Sequence, residues 1–88
     1  MISAKLLEQK LIACANIVSN ITSRYWWKDK IETETEVLLI MKTKVTLFEK
    51  IRKNIEDIHP YEIPEIVMSP LIKGNDKYLK WIEDSIKD

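Results

Sequence analysis

The sequence predicts an α+β domain, and three observations carry that prediction. Apolar residues recur at helical spacing near the start, in the middle and at the end of the chain. A run rich in β-branched and aromatic residues fills positions 13–32. A second apolar run, Val37 to Met41, follows a polar turn at Lys28-Asp29-Lys30. The resulting order is α-ββ-α-β-α, read as one domain over residues 1–88 with no repeat of solenoid period.

Leu7, Leu11 and Cys14, with Ala4 one turn earlier, share a stripe opposite Lys5, Glu8, Gln9 and Lys10, so residues 2–12 are predicted to be an amphipathic helix. Ile17, Val18, Ile21, Thr22, Tyr25, Trp26 and Trp27 suit a long strand, and the Ser19-Asn20 pair inside it marks a bend or bulge. The run from Glu36 to Thr43 reads as its hairpin partner, apolar on both faces. Thr46 and Glu49 are spaced as a capping box for a helix with Leu47, Phe48, Ile51, Ile55 and Ile58 on one stripe. That helix must end before Pro60, whose ring pushes His59 out of the α region. Glu65 to Ile72 reads as a further strand, and Gly74, the only glycine, as a turn. Asn75 or Asp76 can then cap a last helix with Tyr78, Leu79, Ile82 and Ile86 on one face.

Composition narrows the function classes. An 88-residue chain of 10.4 kDa buries only about two-thirds of its unfolded surface, a thin core that favours oligomerisation. Lys plus Arg equal Asp plus Glu at 14 each, so no global field draws the protein to nucleic acid or to an acidic membrane. The longest apolar run is far short of the roughly 20 residues of a membrane helix. A single cysteine, together with an opening Met1-Ile2-Ser3-Ala4-Lys5 that has no apolar signal core, points to the cytoplasm.

The segment Leu7 to Asn16, Leu-Glu-Gln-Lys-Leu-Ile-Ala-Cys-Ala-Asn, resembles the signature of the CutA divalent-cation-tolerance family. Ser23 to Trp27, Glu36 with Lys42-Thr43, His59-Pro60-Tyr61-Glu62-Ile63-Pro64-Glu65 and Tyr78 to Ile82 resemble that family's other motifs, in order and at similar intervals. The resemblance implies a ferredoxin-like antiparallel sheet with helices on one face, an extra C-terminal helix and a tight homotrimer. It also implies a central strand ahead of the first helix, which this sequence lacks. The strands starting near Glu36 and Glu65 would then carry unpaired edges, at about 1 to 3 kcal/mol per buried unpaired group. Either the sequence is truncated, or the remaining strands close up, or a neighbouring chain supplies the edge.

The resemblance further implies that Cys14 and His59, the only thiol and the only imidazole, take part in binding copper or similar cations. Their softness suits copper or zinc better than magnesium or calcium. A closed tetrahedral site needs about four ligands, so Glu65, water or another subunit would complete it. Ile58 stands where the family often carries a second histidine. Cys14 also reads as a small buried residue between helix and strand, His59 as a polar helix stop, and Glu65 as a solvent-facing carboxylate. Tyr25, Trp26 and Trp27 read as trimer contact. One glycine cannot make a phosphate loop, and Cys14 with His59 lacks the rest of a nucleophilic site, so the expected protein is not an enzyme. The alternative function is a scaffold similar to the PII signalling proteins, binding a partner protein or small ligand in clefts between subunits.

Overall fold

A computed structural model describes residues 2–58 and 63–87. Helix α1 (Ile2–Glu8) leads into strand β1 (Cys14–Trp27), which pairs antiparallel with strand β2 (Lys30–Lys42). A 3-10 turn (Val45–Leu47) opens helix α2 (Phe48–Ile58), and helix α3 (Asp76–Ser85) follows residues 63–75, which form neither helix nor strand. The α+β class, the hairpin and the last two helices are therefore as predicted.

The hairpin is set by two local conformations. Lys28 and Asp29 both have positive φ, 50° and 66°, and form a two-residue turn whose twist matches that of the flanking strands. The predicted bulge is present: Ser19 and Asn20 together face Val37, and Asn20 sits at φ 60°. One extra residue moves the partner strand by one position. Below the bulge the half-buried residues of β2 include Leu39 and Met41, and above it they are Glu36 and Glu32.

Helix α1 is shorter than predicted and presents a different face. It ends at Glu8 because Lys10 adopts the left-handed conformation, φ 57°. Lys10 N–H then bonds Leu7 C=O and Leu11 N–H bonds Leu6 C=O, each at 3.0 Å, which is the Schellman arrangement. The turn brings Leu11 back onto Leu6, so Ser3 and Leu6 are buried while Ala4 and Leu7 face outward. The tail closes on the same turn, with Lys87 N–H donating to Lys10 C=O at 2.8 Å.

Leu6, Leu11, Ile12, Leu47, Ile51, Ile55, Ile82 and Ile86 form one core, against which Ala13, Ala15 and Met41 of the hairpin base pack. Thr46 lies inside the 3-10 turn that opens α2, and the Glu49 carboxylate accepts from Arg52 Nε at 2.8 Å. Gly74 has no positive φ; a Cβ there would stand 2.9 Å from Leu79 Cδ2, so the glycine serves close approach to α3. Asn75 precedes α3, and its carbonyl, not its side chain, accepts from Tyr78 and Leu79 N–H.

The predicted strand at Glu65 to Ile72 does not form. Among the described residues the sheet has two strands, and no backbone hydrogen bond joins 64–73 to another element. A strand is defined by its partner, and that segment has none beside it. No described helix is long and apolar enough to cross a membrane.

The left-handed Lys10 is the position where glycine would relieve backbone crowding. Lys10→Gly is expected to stabilise the chain by about 1 kcal/mol, raising Tm by about 4–8 °C in a calorimetric scan.

Candidate functional site

Cys14 opens β1 as a free, half-buried thiol opposite Lys42. Its Sγ lies 4.0 Å from Asn16 Oδ1, and the same oxygen accepts a hydrogen bond from Lys42 Nζ. Asn16 lies on the same face of β1, two residues on, and the hairpin register brings Lys42 opposite the thiol.

Glu65 is exposed and lies elsewhere. With Glu36, Ile66 and Val67 it lines a cleft of about 300 Å³ between β2 and the 64–67 segment. Cys14 is not part of that cleft, so the structure does not bring the thiol and this carboxylate together. His59 falls outside the described residues. Among those described, no group of three or more histidine, cysteine, aspartate or glutamate side chains is placed to hold a metal ion. The described donors of one chain thus form no such group. Sequence reasoning missed three neighbours: Asn16, two residues along the strand from Cys14, Lys42, which register places opposite it, and Glu36, which lines one cleft with Glu65. Counting back from the Lys28-Asp29 turn across one bulge would have placed Lys42 opposite Cys14.

The second feature is the hairpin arm. Trp26 and Ile31 are directly opposed and 72% and 63% exposed. Tyr25 stands on the other face, opposite Glu32 and diagonal to Glu34. A hydrogen bond to the Glu34 carboxylate, helped by the nearby charges of Glu34, Glu36 and Glu32, pushes the Tyr25 phenol up to about 12. Lys28 Nζ stands 5.7 Å from the centre of the Trp27 ring at the tip. The surface area is 7247 Å², against the roughly 5,400 Å² expected of a compact monomer of this mass. The radius of gyration, 14.8 Å, likewise exceeds the roughly 12 Å of a compact chain of this length.

The profile of the family described as "CutA1 divalent ion tolerance protein" matches residues 1–85. A Xenopus laevis protein named "Protein CutA homolog" is 41% identical over 99% of this chain and 58% of its own length. Among solved structures, CutA1 from Ehrlichia chaffeensis is 48% identical over 96% of this chain and 78% of its own, with a TM-score of 0.88. CutA1 from Oryza sativa is 38% identical over 99% and 80%, with a TM-score of 0.95. The chain spans about half the length of the curated relatives it matches.

The titration of Tyr25 gives a direct check on the arm. A phenol whose folded pKa lies above its unfolded value adds stability that is full below pH 10 and is lost as pH rises through about 12. One of the three tyrosines is expected to ionise late when absorbance near 295 nm is followed with pH. Tyr25→Phe should remove that late step, and Glu34→Gln should bring it earlier.

Proposed function

The chain belongs to the CutA1 divalent-ion-tolerance family, and from that premise we propose that it works as a homotrimer which binds copper or a similar soft cation and turns over no substrate. The observation that carries the assembly is the arm: an antiparallel hairpin with Trp26, Ile31, Val37, Leu38 and Ile40 exposed has more apolar surface than a lone chain of this size supports. Copies packed around the arm would bury that surface, with Trp26 as an aromatic anchor.

Within the trimer Cys14 is the soft ligand, which as a thiolate suits copper or zinc. His59 and Glu65 are the other candidate ligands. Because Glu65 lies away from Cys14, the remaining donors come from a neighbouring subunit or from water. The single free thiol suits a reducing compartment, and we place the protein in the cytoplasm.

A second reading, a PII-like interaction or signalling scaffold, draws support from the same separation of Cys14 and Glu65. It would use clefts between subunits to hold a small ligand or partner protein.

Titration calorimetry with copper separates these readings. Cys14→Ala and His59→Ala are each expected to weaken binding at least tenfold; unchanged binding in both would remove these residues from the site. Loss of binding with unaltered copper sensitivity in cells would favour the scaffold. The assembly is tested apart from the metal. Trp26 is so exposed that Trp26→Ala should leave the isolated fold intact yet weaken association by about 2 kcal/mol or more, seen as lighter species in sedimentation. A variant that sediments like the parent protein would count against an anchor at the arm.

A further inference from the structure

Alternation along β2 sorts its side chains onto two faces of the hairpin. At the base, Met41 and the Ala15 opposite it pack on the helical core, so the helices cover the face that carries them. Lys42, Ile40, Leu38, Glu36, Glu34 and Glu32 share the other face, where Val18 of β1 stands opposite Leu38. Val18, Leu38 and Ile40 are 41%, 47% and 46% exposed. They form an apolar stripe with a positive charge at one end of the strand and three negative charges toward the other.

Neither end is neutralised within the chain. Lys42 Nζ donates to the uncharged Asn16 amide, and among the described residues it joins no ion pair. Glu34 is held by the Tyr25 phenol, while Glu32 and Glu36 join no ion pair either, not even with Lys30 two residues beyond Glu32 at the tip. Lys42 and Glu34 lie eight residues apart on one strand, about 26 Å, so a single chain cannot bring them together.

We infer that this face of the sheet is where copies of the chain meet: apolar stripe lies on apolar stripe, and Lys42 of each copy lies against the acidic row of the next. The occupant is a second copy because the pattern is complementary to itself. The stripe stands midway between Lys42 and the acidic row, so stripes laid together with opposed strand directions bring unlike charges into register. Strands sharing one direction would set like charges against each other. A basic partner of another kind would satisfy the glutamates and leave Lys42 facing its own sign. The number of copies rests on the trimeric reading above; the face itself needs only a second copy.

The test follows the 88-residue chain and its variants by sedimentation velocity over a concentration series with a chelator present, and circular dichroism confirms that each sample is folded. Lys42→Glu and Glu34→Lys are each expected to raise the concentration of half-assembly at least tenfold. The double variant, which restores opposite signs, is expected to return to within about threefold of the parent protein, and salt at about 0.5 M to weaken the parent's assembly several-fold. If the parent assembles but both folded single variants assemble equally well, or the folded double variant does no better than the singles, the pairing of these faces is overturned and the trimer stands. Assembly of the parent that is indifferent to salt overturns the pairing as well. A parent that stops at a dimer, with charge rescue intact, supports the face and overturns the trimer. A parent that is monomeric at every concentration overturns both.

Discussion

The backbone of β2 is the constraint on which the rest of the structure depends. Each residue of a strand offers a donor and an acceptor, and alternate residues turn them to opposite sides, so a strand is content only with two neighbours or with one neighbour and water. β1 satisfies one side along its whole length, with a single bulge. On the other side β2 borders the cleft it shares with the 64–67 segment, and Val37 to Met41, which carries no charge, belongs by composition in a sheet interior. Along that side lies the cleft of about 300 Å³ that β2 shares with Pro64 to Val67.

Elements whose causes are local were legible in the sequence. The Lys28-Asp29 turn, the Ser19-Asn20 bulge and the stripe of Leu47, Ile51 and Ile55 each depend on neighbours a few positions away, and each is present. The face of α1 was not legible, because it depends on where the helix stops. A left-handed lysine at position 10 gives no sequence signal of the kind a glycine gives, and that stop trades Ala4 and Leu7 for Ser3 and Leu6 on the buried side. The strand at Glu65 to Ile72 failed for the opposite reason: its propensity is real, but pairing is tertiary. The same divide runs through the candidate site. Cys14 and Glu65 were identifiable as residue types, while Lys42 was brought to the one by hairpin register and Glu36 to the other by tertiary packing.

Two kinds of exposed surface divide the labour of the molecule. The upper arm carries Trp26 and Ile31 on one face and the Tyr25, Glu32, Glu34 and Glu36 row on the other, so it offers aromatic anchoring and charge on opposite sides. The lower hairpin, through Ala15 and Met41, is tied to the helical core. The bulge between them lets one continuous pair of strands serve both tasks, because it changes which set of β2 residues turns toward cover.

The apolar run of β2 has a consequence for the life of the chain in a cell. Val-Leu-Leu-Ile-Met combines high strand propensity with no charge and no proline, the composition that stacks into cross-β aggregates when left uncovered. Glu36 and Lys42 flank it as gatekeepers, but neither stands within it. In a partly folded copy the same backbone would template disordered stacking. Folding must therefore cover that run before partly folded copies meet, and the two flanking charges slow the encounter.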